Sequence, residues 1–268
     1  MRTWPALEVG PLQHPDLFQA ALLDYDVSAI DETTQPDAWR VFFGSDADRT
    51  AAAEQLSRQF PETSIRVLDV PDEDWVTRSQ ASLRAVTIGS TIVAPPWDVP
   101  DAPLVIVIRP SMGFGTGHHA TTRLCLAALQ HIDVQGRRVM DVGTGSGLLA
   151  IAASVFGAAY VEGIDEDADA LRAAHDNVLL NPGANVRLHH ADVRRAAANS
   201  FDVVVANLTG ALLCDAAPQI LQLTTPGGHV ILSGFLLGEE ADVLGAYSTF
   251  SVTARTEEEE WLCVTLRR

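Results

Sequence analysis

Val139-Met140-Asp141-Val142-Gly143-Thr144-Gly145-Ser146-Gly147 decides the fold of this chain. An apolar run with strand character ends in an acid and three glycines at alternate positions. It then continues as Leu148-Leu149-Ala150-Ile151-Ala152-Ala153, which reads as a helix. Glycines so spaced let backbone approach a ligand closely at a helix N-terminus, where unpaired N–H groups collect. Counted from Gly143, the dinucleotide fingerprint fails, because its third glycine falls on Leu148. Counted from Gly145, it survives only in the alanine-ending form, with Ala150 last.

Working outward, the next strand-like run, from Ala158 to Ile164, ends in Asp165, eighteen residues after Gly147. An acid at the tip of the second strand of such a unit accepts hydrogen bonds from the ribose hydroxyls of a nucleoside. The plainer reading makes Asp165 a cap for the helix expected over 167–177. The complete strand–turn–helix–strand–acid order favours the ribose contact. From residue 137 onward strand and helix patterns alternate, with strands to 142, to 164, over 185–189, 201–206 and 229–233, and helices between them. Two adjacent strand runs, 249–254 and 260–266, close the chain. This pattern predicts an α/β fold: a doubly wound, mostly parallel seven-stranded sheet with one antiparallel member from the final hairpin.

The 268 residues allow one large domain plus a small one, and 47% hydrophobic content supplies the cores. No apolar run reaches the ~18 residues that span a bilayer, and the N-terminus has no basic-then-apolar leader pattern, so a cytoplasmic protein without membrane contact is expected. Cys125, Cys214 and Cys263 are far apart, odd in number and set in apolar patterns, which fits buried reduced thiols. A net charge of −17 disfavours direct nucleic-acid binding through phosphates and fits a basic partner. All eighteen basic residues are arginine, which coding bias explains best. The histidines have no metal-ligand spacing with cysteines or paired carboxylates, so no metal site is expected.

Residues 1–70 read as a small α+β module of order β-α-β-β-α-β, the ferredoxin-like arrangement, with helices over 16–23 and 46–60. The first 80 residues carry fifteen acids against six arginines. Residues 71–84, beginning Pro71-Asp72-Glu73-Asp74-Trp75, read as a linker helix with acids in its first turn. Residues 85–268 form the second domain. Its first part carries strands over 85–88, 91–93 and 104–109, then a glycine-rich segment and a helix over 120–131.

Asp141-x-Gly-x-Gly-x-Gly147 resembles the first motif of S-adenosylmethionine-dependent methyltransferases. Phe114-Gly115-Thr116-Gly117-His118-His119-Ala120-Thr121-Thr122 lies just upstream, and Gly163-Ile164-Asp165, Asp202 to Leu208, Leu232 to Leu236 and Glu260-Trp261 follow. With Asp72 to Trp75 and Pro95-Pro96-Trp97, the whole resembles the bacterial ribosomal protein L11 methyltransferase (PrmA) family from about residue 70 to the end. The resemblance implies a Rossmann-like methyltransferase domain, S-adenosylmethionine as cofactor, and methylation of lysine ε-amines and the N-terminal α-amine of a basic ribosomal protein. It also implies that the N-terminal module recognises the substrate. Two positions depart from the family pattern: Ala120, where proline is frequent, and Thr209-Gly210 after Asn207-Leu208. Rival readings are a methyltransferase of the same fold acting on another protein, RNA or a small molecule, or a non-catalytic cofactor-binding module. No stacking aromatic follows Asn207, which argues against planar amide or adenine substrates. A monomer is expected.

Within that frame, the residues expected to bind cofactor are Thr122, Asp141, Gly143, Gly145, Asp165, Asp192 and Asn207. Thr122, near a helix N-terminus, is assigned to the methionine carboxylate, against simple capping. Asp141 is assigned to the cofactor's amino group, against bracing of the loop. Asp192 is assigned to the adenine amine. Asn207 ends the fourth strand of the unit at the carboxyl edge and is assigned to orienting the amine or the methionyl group. His118 and His119 are candidate bases, although orienting the loop suits them better.

Overall fold

The computed structural model describes residues 3–12, 18, 21–22, 25–35, 38–71, 83–110, 117, 119–195 and 200–268. These form two compact units, residues 1–82 and 83–268. The helix expected over 16–23 is represented by Phe18, Ala21 and Leu22, all helical, and its remainder lies outside the described residues. The linker helix expected over 71–84 lies outside them as well, apart from its ends.

The first unit contains β1 (Thr3–Gly10), β2 (Val27–Gln35), β3 (Ala38–Phe43), α1 (Asp46–Gln59) and β4 (Ser64–Pro71). Its sheet has the order β2-β3-β1-β4 with every neighbour antiparallel, the ferredoxin-like topology. Ser45 starts α1, its hydroxyl accepting from the Asp48 N–H at 3.1 Å, while Asp46 and Asp48 complement the helix dipole. Alternation along β1 and β3 sends Leu7, Val9, Val41 and Phe43 to one face, where they meet Ala52, Leu56, Phe18 and Leu22.

The second unit opens with β5 (Val86–Ile88), β6 (Thr91–Ala94) and β7 (Val105–Val107), which form a separate three-stranded sheet. There follow α2 (Ala120–Gln130), β8 (Arg138–Val142), α3 (Leu148–Val155), β9 (Tyr160–Asp165), α4 (Ala168–Leu179), β10 (Val186–His190), β11 (Phe201–Asn207), α5 (Gly210–Leu223), β12 (Thr224–Leu236), α6 (Glu240–Ala246), β13 (Ser251–Glu258) and β14 (Trp261–Arg267). The large sheet has the order β10-β9-β8-β11-β12-β14-β13, and β14 runs antiparallel to both its neighbours. The middle of the sheet is apolar because both faces are covered there, whereas the edge strand β13 is polar and exposed. In β11, Val203 and Val205 enter one core and Val204 and Ala206 the other. Burying each such valine contributes roughly 1.5–3 kcal/mol.

β12 is longer than the pattern predicts. Thr224 already pairs with Phe201, and the register shifts before Val203 meets His229. Gly227, at φ 76°, lets the chain pass through Pro226-Gly227-Gly228 without ending the strand. The helix expected between the strands at 229–233 and 249–254 divides into a 3-10 turn, Leu237–Glu239, and α6. Among the described residues, no helix is long and apolar enough to cross a membrane.

Candidate functional site

The order of the large sheet reverses direction between β8 and β11. Open α/β sheets hold ligands in the crevice beyond the carboxyl ends of their strands at such a switch point. A cavity of about 600 Å³ lies there. Its wall is built from the start of α2 (His119, Thr121), the glycine turn (Gly143, Gly145), the end of β9 (Ile164, Asp165, Glu166, Asp167) and the segment after β10 (Ala191, Asp192, Val193). Asn207, Leu208, Thr209 and Leu212 follow β11, and Gly234 and Trp261 complete the far side.

The glycine turn is buried and largely closed on itself. The N–H groups of Gly143 and Thr144 both donate to the Ile164 carbonyl at 2.9 Å, and that of Gly147 donates to the Thr144 carbonyl at 2.8 Å. Gly143, at φ 69°, occupies the left-handed region, and a Cβ there would meet the Leu208 side chain at 2.4 Å. The free donors expected at the start of α3 are therefore partly committed. The Ala150 N–H donates at 3.1 Å to Asp141, whose same oxygen accepts from the Thr144 hydroxyl at 2.7 Å. Asp141 is 1% exposed and lies outside the cavity wall, so in this geometry it braces the loop. Burial pushes its carboxyl up to about 6, an effect the Thr144 and Ala150 bonds oppose and the nearby Asp165 charge adds to.

Asp165 lies on the wall. One carboxylate oxygen accepts from the Gly145 N–H at 2.9 Å, the other from the Asp167 N–H at 3.0 Å. Each oxygen retains a second lone pair for a hydroxyl donor. The capping alternative for α4 falls instead to Asp167, whose side chain accepts from the Asp169 N–H at 2.8 Å. Asp192 also lines the cavity. Its Oδ1 accepts from the Arg194 backbone N–H at 2.9 Å and from Arg194 Nε at 2.8 Å, and this hydrogen bonding holds its carboxyl below the usual range.

On the other side, His119 starts α2, its Nδ1 lying 2.8 Å from the Thr121 hydroxyl and 3.4 Å from the Thr121 N–H. The ring meets Trp261 edge-on, with centroids 5.0 Å apart. Thr122 is 2% exposed and stands behind the wall, where its hydroxyl accepts from Asn207 Nδ2 at 3.4 Å. His118 lies outside the described residues. The structure thus brings Gly143, Gly145, Asp165, Asp192, Asn207 and His119 onto one wall, with Thr122 and Asp141 immediately behind it.

Trp261, Leu208 and Leu212 line the cavity in addition to the residues expected there. Because β14 runs antiparallel, its first residue reaches the rim where the parallel strands end. The position of Trp261 after the final hairpin turn is the signal that marks it.

The donor set discriminates between ligands. Four carboxylates line the cavity, Asp165, Glu166, Asp167 and Asp192, and among the described residues no arginine does. With the α3 N-terminus engaged by Asp141, this wall offers a pyrophosphate poor contacts. It suits a cationic nucleoside whose hydroxyls and amine donate hydrogen bonds, so the residues present fit a sulfonium nucleoside. Among the described residues, no cluster of three or more His, Cys, Asp or Glu side chains is arranged to hold a metal ion.

Residues 18–268 match the model of the ribosomal protein L11 methyltransferase (PrmA) family. A curated protein of that name from Hahella chejuensis is 34% identical over 90% of this chain and 87% of its own length. One from Wolinella succinogenes is 32% identical over 98% and 97%. One from Yersinia pseudotuberculosis reaches 40% over 75% of this chain and 70% of its own. Among solved structures, a ribosomal protein L11 methylase from Lactobacillus delbrueckii subsp. bulgaricus superposes with a TM-score of 0.64 at 26% identity, covering 69% of this chain and 98% of the other. Rossmann-like sheet, carboxylate-lined cavity and full-length similarity agree, and the chain belongs to the ribosomal protein L11 methyltransferase (PrmA) family.

Proposed function

We propose that this chain is an S-adenosylmethionine-dependent protein N-methyltransferase acting on lysine ε-amines and the N-terminal α-amine of ribosomal protein L11. The observation that carries the reading is the cavity at the sheet's switch point, walled by acids that offer a pyrophosphate poor contacts. Asp165 would take the ribose hydroxyls and Asp192 the adenine amine, while Gly143 and Gly145 allow close backbone approach. Thr122 and Asp141 act from behind the wall, the first on Asn207 and the second on the glycine turn. When bound, the cofactor supplies a methyl group activated by its sulfonium.

The chain's own residues then have to present an amine in line with that methyl, and positioning does most of the work. Asn207 directs Nδ2 toward Thr122, which leaves Oδ1 to orient an incoming amine hydrogen. Trp261, edge-on to His119, offers an apolar side to the stem of a lysine. A lysine of pKa near 10.4 costs about 4–5 kcal/mol to deprotonate at neutral pH. A cavity already holding a cation lowers that cost, because a second positive charge is disfavoured there. His119 holds the start of α2 through Thr121, so its role in this reading is to shape the wall, and solvent takes the proton.

The acidic first 80 residues suit recognition of a basic ribosomal protein, and we assign that role to residues 1–70. Incubation with methyl-labelled S-adenosylmethionine and purified L11, followed by mass mapping, tests the activity. Label on lysine and the N-terminus is expected, and an unlabelled L11 refutes the assignment. Removing residues 1–70 should abolish labelling of L11 while calorimetric binding of S-adenosylmethionine persists. Undiminished labelling would remove the recognition role.

A further inference from the structure

α4 devotes one face to the loops around the cavity. Ala174 and Asn177 stand at i and i+3, and Asn181 follows two residues past the helix end; they are 0%, 1% and 7% exposed. Ala174 lies against Gly147, where an added Cβ would come within 3.1 Å of the Ala174 Cβ and 3.3 Å of its Cα. At φ 83° that position already demands glycine. Three residues on, Asn177 donates from Nδ2 to the Ser146 carbonyl at 2.9 Å and accepts the Arg109 N–H on Oδ1 at 2.8 Å. Asn181 serves β7 instead. Its amide accepts the Val107 N–H at 2.8 Å and donates to the Val107 carbonyl at 2.7 Å, continuing the small sheet in the place of a strand.

We propose that Asn177 is a positioning residue for the cofactor site, fixing the direction of the Asp165 carboxylate through the glycine turn. The path is short and runs through two residues of the turn's backbone. Asn177 holds the Ser146 carbonyl, and the adjacent Gly145 N–H donates to Asp165 Oδ2 at 2.9 Å. Asp167 closes the other side on Oδ1. A carboxylate held from both sides presents its remaining lone pairs in one direction. Ribose hydroxyls are read by direction, so slackening the turn lowers discrimination for the hydroxyl more than it lowers burial of the base. Asn177 is buried among partners it satisfies, in surroundings where a lost hydrogen bond moves the backbone. This inference rests on the reading of Asp165 as the ribose contact.

The test uses full-length protein, S-adenosylhomocysteine and its 2′-deoxyribose analogue, with affinities from calorimetry. The unsubstituted protein should bind the deoxy analogue about tenfold more weakly or worse, the range for a hydrogen bond to a charged group. Asn177→Asp is close to isosteric; it keeps an acceptor for Arg109 and loses the donor to Ser146. It should shrink the ratio to under about threefold, chiefly by weakening the parent ligand. Asn181→Ala should lower the melting temperature and leave the ratio where it was. If Asn177→Asp does not fold, Asn177→Ser carries the same comparison. A ratio unchanged in the Asn177 variant, or equal losses for both ligands, overturns the proposal and leaves Asn177 a packing residue. An unsubstituted protein that ignores the 2′-hydroxyl overturns the Asp165 reading first, and the proposal with it.

Discussion

The cavity is bounded on one side by the glycine turn and on another by the corner after β10, and the two are built by opposite means. The glycine turn is buried, and its bonds run to backbone, to Asp141, to Asp165 and to Asn177 at 2.7–3.1 Å. The corner after β10 is held by Arg194, which reaches Asp192 at 2.8 Å, Asp215 at 3.4 Å and Glu166 at 3.8 Å, with its own side chain 44% exposed. Buried bonds cannot be exchanged for water without cost, so the turn has one geometry. Ion pairs at the surface exchange readily with water and salt, so the corner is adjustable. The same cavity thus has a rigid side at the proposed ribose contact and a tunable one at the proposed contact to the base.

On the proposed reading Asp165 is where the rigid wall meets ligand, so its loss should produce the largest effect. Asp165→Ala removes a charged acceptor together with the anchor of the Gly145 N–H. Affinity for S-adenosylmethionine should fall by about 10- to 100-fold, the range for hydrogen bonds to charged groups. Calorimetry measures it, with thermal melting to show that the cores persist. If affinity stays within twofold, the division of labour between the two walls is wrong.

Asp141 supplies the next effect, and its sign follows from burial. Its folded pKa of about 6 lies above the unfolded value near 3.9, so the folded state binds the proton more tightly between them. The Asp141 contribution therefore falls as pH rises through this window, and ionisation opposes folding above pH 6. Asp141→Asn carries no such dependence. Relative to that variant, the unsubstituted protein should lose about 1–2 kcal/mol of stability between pH 5 and pH 7.5. Urea unfolding at the two pH values checks this. A difference that is flat or rises with pH would mean that the Thr144 and Ala150 bonds outweigh desolvation.

The same contrast explains what could be read in advance. The α/β alternation, the seven strands and the acid that ends β9 are local periodicities and chain-order relations, which a sequence displays directly. The switch-point position of Asn207 follows from that order. Asp141 could be placed at the strand tip, yet its facing depends on the parity of β8. Residues 139 and 141 face the core that holds α3, and the carboxylate turns under the helix instead of into the cavity. Trp261 and Asn177 escaped because their partners lie far off in sequence. His119 is 142 positions from Trp261, and Arg109 is 68 from Asn177. The unbroken course of β12 through Pro226-Gly227-Gly228 was hidden for a related reason, since the pairing of Thr224 with Phe201 overrides a local turn signal.

The adjustable corner gives the smallest effect and sharpens the comparison most. Asp192 accepts from Arg194 twice on Oδ1, while Oδ2 has Arg195 no nearer than 3.9 Å, which leaves that oxygen open to the proposed adenine contact. Arg194→Gln keeps the backbone N–H bond and removes the guanidinium, so the carboxylate remains but turns more freely. The protein should then prefer S-adenosylhomocysteine over its hypoxanthine analogue less strongly, by about threefold, as expected for an exposed ion pair. Raising salt should erode the preference in the unsubstituted protein and leave the variant nearly unchanged, because screening acts on the pair the variant lacks. The ribose discrimination set by the buried turn should ignore both the substitution and the salt. A variant that loses ribose and base discrimination together would show that the two walls move as one, and that burial does not separate them.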